Sequence, residues 1–196
     1  ADGKPVRMIG AMSDITSRKQ AEESLRDREQ RLNAIIQNEP DCIKLLNADG
    51  SLLQMNPAGL AMIEADSLQS VLGKSIYPLL TPEHRQAFGD LTRRVFRGDS
   101  GKLEFEITGL KGTRRWLDTH AVPMRNEAGE VITLLAITRD VTEQKRAQED
   151  LQQSESKYRA LTEQMPGVVY LDGFESGETV YISPNVQALL GYSAQD

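Results

Sequence analysis

At 196 residues the chain can hold one sizeable core with partial neighbours, since domains commonly run to about 100–150 residues. The net charge of −6, with Lys and Arg scattered among Asp and Glu, leaves no basic stripe to neutralise a phosphate backbone and argues against nucleic acid as a partner. A single cysteine, Cys42, and two separated histidines, His84 and His120, offer neither an internal disulfide nor a metal set, and no stretch reaches the roughly 18 apolar residues of a membrane span or shows a signal-peptide pattern, so a cytoplasmic segment without membrane contact is expected.

Taken in chain order, the first feature is a block that returns. Residues 12–25 reappear as 138–151, with Asp14 matching Asp140 at an offset of 126, and residues 29–40 reappear as 155–166. Asn56-Pro57 matches Ser183-Pro184 with one residue inserted. A repeat of this length marks tandem units. The expected organisation is the tail of a preceding unit at 1–16, a linker helix at 17–39, a complete domain at 40–142, a second linker helix at 143–162 and the start of a following unit at 163–196. The parent protein is expected to be longer.

Residues 16–38 are rich in Glu, Arg, Gln and Ala without Gly or Pro, and Pro40 closes the run, which predicts a helix. Ala21, Leu25, Leu32 and Ile35 occupy a and d positions of a heptad broken by Arg28, a thin seam that Ala147, Leu151, Tyr158 and Leu161 repeat in the second linker. Such seams predict a parallel homodimer through paired helices.

Next, Asn47-Ala-Asp-Gly50 between residues 42–46 and 51–55 is a hairpin signal, because Asp-Gly supplies the positive φ of a tight turn. Asn56-Pro57 opens a short helix at 58–65, with the Asn side chain available as a cap and Pro pre-set for the first turn. Residues 83–97 predict the longest internal helix, with Phe88, Leu91, Val95 and Phe96 on one side and Gly98 as its stop. Three strands, 102–109, 114–124 and 131–139, close the unit around turns at Lys111-Gly112 and at 126–129. Two strands, helices and three antiparallel strands make an α+β domain, one sheet with helices on one face. Where the last strand turns into a helix, Asp140 and Thr142 can accept hydrogen bonds from the free amides of the first turn and so couple sheet to helix; Asp14 and Thr16 are the first copy of the pair.

This order, with Asp49-Gly50, Asn56, Gly73, Lys111-Gly112, Trp116, Pro123, Gly129 and the recurring Asp-x-Thr before a charged helix, resembles the PAS family over the whole chain. The resemblance implies a five-stranded antiparallel sheet in the order 2-1-5-4-3, a small internal cavity and a signal helix leaving through Asp-x-Thr. It also implies a parent that is a bacterial two-component sensor, histidine kinase or diguanylate cyclase, whose output domain lies outside this segment. The light-oxygen-voltage photoreceptors are similar from the central loop onward, but their reactive Cys follows a Gly-Arg-Asn run where this chain has Gly73-Lys-Ser75 and then Ile76, so a flavin adduct is excluded. Haem-binding relatives carry the axial His on the long helix, where Ala87 stands here and His84 lies a turn earlier, which argues against haem. No cofactor is predicted.

The same resemblance sets the strand faces, since side chains alternate with period two. Leu103, Phe105, Ile107, Leu117, Thr119, Ala121, Leu134, Ala136 and Thr138 are expected toward the cavity, with Trp116, Asp118 and His120 facing away. On the first strand the arguments conflict, because burial alone prefers Ile43 and Leu45 inward whereas the family register points Lys44 and Leu46 inward. An inward Lys44 needs a carboxylate partner or must give up its charge; a small carboxylate ligand, with Arg115 as a second contact, is one reading, and a Lys44 that stays solvated or snorkels outward is the other. No Ser/Cys–His pair, phosphate loop or metal cluster suggests catalysis, and Glu83-His84 beside Asp90 reads as surface charge. The leading function is a regulatory module that binds a small molecule or partner and relays it through helices; the alternative is a dimerisation spacer with a filled cavity.

Overall fold

The computed structural model describes residues 14–165, 167–174 and 179–191. The chain divides into two compact units after Asp140. Of the tail expected at 1–16, residues 1–13 lie outside the described residues, as do 166, 175–178 and 192–196 in the segment after the second linker.

In the first unit, helix α1 (Thr16–Asn38) precedes strands β1 (Cys42–Leu46) and β2 (Leu52–Met55). Helices α2 (Pro57–Met62) and α3 (Leu68–Val71), a 3₁₀ turn at Tyr77–Leu79 and the long α4 (Pro82–Phe96) follow, and β3 (Gly101–Thr108), β4 (Arg114–Arg125) and β5 (Val131–Asp140) complete the unit. The five strands form one antiparallel sheet in the order β2-β1-β5-β4-β3. Gly50 closes the β1–β2 turn at φ +80°, a conformation open to a residue without Cβ.

The inner face of the sheet and the helices enclose the core. Phe88, Leu91 and Val95 of α4 are buried, and the Phe88 ring meets Phe105 of β3 edge to face at 5.2 Å and Tyr77 at 5.8 Å, offset geometry that aromatic quadrupoles favour. Alternation places Phe105 and Ile107 of β3, Leu117, Thr119 and Ala121 of β4, and Leu134, Ala136 and Thr138 of β5 on this face. Helix α2 presses so close to β1 that a Cβ on Gly59 would stand 2.6 Å from Cys42 Sγ and 2.5 Å from Met55 Cγ.

The second unit contains α5 (Thr142–Gln164), the two-stranded β6 (Tyr170–Asp172) and β7 (Thr179–Ile182), and the short α6 (Asn185–Leu190).

Candidate ligand cavity and relay residues

On β1 the burial alternates with Cys42, Lys44 and Leu46 inward. The register that buries a lysine is therefore the one adopted, and Ile43 and Leu45 take the outer, half-buried face. Lys44 is only 5% exposed. It lines a cavity of about 30 Å³ together with Cys42, Met55, Met62, Ile63, Phe105, Ile107 and Leu117, with Ile76, Leu79 and Leu80 completing the wall. Its ammonium donates to Thr138 Oγ1 at 2.6 Å. Thr138 Oγ1 lies 2.7 Å from Thr119 Oγ1, and the Thr119 hydroxyl reaches the Ile137 carbonyl at 3.3 Å. An ammonium can only donate, so the three bonds run one way, from Lys44 through Thr138 and Thr119 to the backbone. Among the described residues no carboxylate stands within ion-pair reach of Lys44. Beside it, burial pushes the Cys42 thiol up from its ordinary pKa of 9.0, against the opposing field of the ammonium.

Of the residues expected around the cavity, Lys44, Phe105, Ile107 and Leu117 line it. Leu46, Thr119, Ala121, Ala136 and Thr138 are buried in the surrounding core. Arg115 is placed elsewhere: its Nε donates to the Met62 carbonyl at 3.0 Å and its Nη1 lies 3.2 Å from Asp140 Oδ2. The guanidinium lies beside the end of β5, where a carbonyl and a carboxylate satisfy it, instead of entering an apolar pocket. The wall from α2 and the following loop was not foreseen. Met62 and Ile63 belong to it because the 57–62 helix turns its apolar side to β1, a spacing readable in Gly59, Met62 and Ile63.

His84 meets the outward Trp116 ring edge to face at 5.3 Å. Its Nδ1 accepts the Glu106 N–H at 3.4 Å and lies 2.8 Å from Thr81 Oγ1, which ties the start of α4 to the edge strand.

Asn56, 1% exposed, is the junction between the leading helix and the core. Its Oδ1 accepts the amides of Ile43 and Gly59, each at 3.0 Å. Its Nδ2 donates to the carbonyls of Ile36 (3.2 Å), Glu39 (3.2 Å) and Asp41 (2.9 Å). One side chain thus ties the last turn of α1 to the start of β1 and caps α2. The second unit builds the same junction from two residues. Ser183 Oγ accepts the Val169 amide at 2.9 Å, while Asn185 Nδ2 donates to the carbonyls of Met165 (2.9 Å) and Gly167 (3.4 Å). The backbone bond of Asn56 to Ile43 O (3.0 Å) recurs as Ser183 to Val169 O (2.8 Å). Arg139 adds a forked ion pair to Asp41, 2.8 Å at its closest, joining the end of β5 to the same junction.

At the Asp-x-Thr sites, the Thr16 amide donates to Asp14 Oδ1 at 2.9 Å, and the Thr16 hydroxyl and amide hold that carboxyl below its ordinary range. Asp140 ends β5 and Thr142 begins α5. The residues capping the two long helices, Ile15 and Val141, have nearly the same backbone angles, φ −106° and ψ 11° against φ −112° and ψ 18°.

Glu64 is the residue furthest from sequence expectation. It holds φ +61°, the left-handed region that side chains with a Cβ seldom adopt. Its carboxylate accepts the Lys111 amide (2.9 Å), the Thr113 amide (3.3 Å) and the Thr113 hydroxyl (2.5 Å). Lys111 Nζ also reaches Asp66 at 2.7 Å. The loop that follows the Met62 side of the cavity is thereby fastened to the β3–β4 turn.

A family model described as "PAS fold" matches residues 37–146. Among curated proteins, sporulation kinase A of Bacillus subtilis is 28% identical over 145 residues, 72% of this chain and 23% of that protein. The two-component sensor PprA of Pseudomonas aeruginosa is 24% identical over 169 residues, 85% of this chain and 18% of its own length. The chain therefore spans about a fifth of the length of these relatives. Among solved structures, the PAS domain of an HTR-like protein from Haloarcula marismortui superposes with a TM-score of 0.54 at 26% identity, covering 62% of this chain and 98% of that one. A sensory box histidine kinase/response regulator structure from Burkholderia thailandensis gives 0.51 at 19%, covering 66% and 98%.

Proposed function

Because the chain belongs to the PAS family, we propose that it is a sensory module of a bacterial signal-transduction protein that changes state with the occupant of its cavity and relays the change through helices paired in a homodimer. The observation that carries this reading is the state of the leading helix. α1 runs for 23 residues with none of them buried. Leu25, Leu32 and Ile35 on its seam are 59%, 61% and 58% exposed. Helices draw most of their stability from packing an apolar face, so a helix this long that packs almost nothing within its own chain is built for a partner. α5, also of 23 residues, repeats the pattern with Leu151, Tyr158 and Leu161 exposed. The relay residues are Asn56 at the entry to the core, and Arg115 and Asp140 at its exit.

The PAS unit is a regulatory rather than a catalytic module, and its relatives named above include a sporulation kinase and a two-component sensor. An output domain of histidine kinase or cyclase type in the parent protein is part of the proposal. One observation favours the second reading, a dimerisation spacer: the cavity holds only about 30 Å³.

Sedimentation velocity tests the pairing. A dimer at tens of micromolar, converted to monomer by Leu32→Glu together with Ile35→Glu, is expected; a wild-type monomer at high concentration overturns it.

A further inference from the structure

We propose that the cavity takes a short-chain monocarboxylate, with the carboxylate on Lys44 and the alkyl end among Met55, Met62 and Phe105. The inference rests on the sensor reading and names the chemistry of its ligand. Lys44 is the single cationic group in the lining, and the remaining wall is aliphatic, aromatic or sulfur. Its ammonium has three hydrogens and one protein acceptor, Thr138. A buried charge without a counter-ion is strongly unfavourable, and the remedy in proteins is a paired opposite charge with hydrogen bonds. Among the described residues the protein supplies no carboxylate there, so the ligand does.

The ligand class follows from what else is missing. One ammonium, with no Arg in the lining, matches one carboxylate. A phosphate brings more charge and more acceptors than this wall can satisfy, and a second carboxylate would be buried against methionine and phenylalanine. Size follows from volume. A water needs about 10–15 Å³ of such space, so a cavity of about 30 Å³ accommodates little more than the carboxylate itself as it stands. The alkyl end must displace Met55 and Met62, whose unbranched thioether chains are the most adaptable apolar side chains. A chain of about two to four carbons fits both limits.

That displacement would be felt beyond the pocket. Met62 lines the cavity with its side chain and gives its carbonyl to Arg115, which holds Asp140.

The test is a titration of the full chain carrying ¹³C-methyl methionine, with sodium propionate, neutral propionamide and disodium succinate as probes. Saturable shifts of the Met55 and Met62 methyls with propionate are expected, with propionamide and succinate weaker by about tenfold or more, because a charge-assisted bond is lost or a second charge is buried. Lys44→Met and Lys44→Gln, each checked for a native methionine spectrum, should abolish the propionate shifts. Absence of saturable shifts with propionate, or binding to both folded variants within about twofold of wild type, overturns the proposal. A neutral molecule released from the protein as purified overturns the carboxylate while leaving the sensor reading intact. A chain that binds propionate as a monomer upholds the ligand and removes the paired relay.

Discussion

Arg115 and Asp140 form an ion pair, Nη1 to Oδ2 at 3.2 Å, in which the same guanidinium also holds the Met62 carbonyl at 3.0 Å. A residue of the cavity wall and the last residue of the sheet therefore share one cation. Both side chains are about a third exposed, so the pair itself is worth only about 0–1 kcal/mol. Removing Arg115 also strips a carbonyl of its donor, so Arg115→Ala should lose about 1 kcal/mol more than Asp140→Ala in urea unfolding. Equal losses would show that the Met62 bond contributes nothing. In the parent protein, Asp140→Ala should abolish the output response while ligand affinity holds, and an unchanged response would refute the relay.

Asn56 makes five side-chain hydrogen bonds from a buried position. Asn56→Ala should cost about 3 kcal/mol or more, since each abandoned buried group carries a penalty of about 1–3 kcal/mol. Asn56→Ser copies the acceptor that the second unit uses at Ser183, and should recover about 1 kcal/mol of that loss. Chemical denaturation of the three proteins checks this order, and hydrogen exchange at the end of α1 should quicken in both variants.

Lys44→Met should raise stability by about 1–2 kcal/mol in the absence of ligand, because replacing a buried charge that lacks a counter-ion with a chain of similar length is neutral or favourable. Thermal unfolding in carboxylate-free buffer decides it. A clear loss of stability would mean that the Lys44–Thr138 bond supports the fold more than ammonium burial opposes it.

The Thr113 hydroxyl, with help from the Thr113 and Lys111 amides, holds the Glu64 carboxyl below its ordinary value of 4.5. A depressed folded-state pKa contributes stability that is fully present above the unfolded value and is lost as pH falls through the folded one. Glu64→Gln should therefore be less stable than wild type at neutral pH, and the gap should close as pH falls below about 4. Urea unfolding across pH 3–7 measures it, and a gap independent of pH would assign the difference to the poorer fit of an amide to the three donors at Lys111 and Thr113 instead of to charge.

Much of this architecture was legible beforehand, for physical reasons that differ between elements. Asp49-Gly50 and the 126–129 turn punctuate the strands, and the repeated Asp-x-Thr marks where each charged helix begins. The first strand shows where local reasoning stops. Both of its faces are at least half-buried, so the preference for Ile43 and Leu45 inward had no contrast to work on, and pairing with β5 decided the register. Asn56 read as a helix cap is half of its role; its amide partners lie 15–20 residues upstream, where no local pattern points. Glu64 left no signal, since its partners are 47 and 49 residues away and its backbone conformation is one that propensity assigns to glycine or asparagine. Arg115 shares the parity of Leu117, yet a long side chain near a strand end can turn toward a carbonyl and a carboxylate rather than follow its strand face.

Native mass spectrometry of the protein as purified tests the central claim most directly, because it reads oligomeric state and occupancy in one spectrum. The account predicts a dimer that carries an additional small mass, released on denaturation. A monomer that releases nothing would contradict both the paired helices and the sensing cavity.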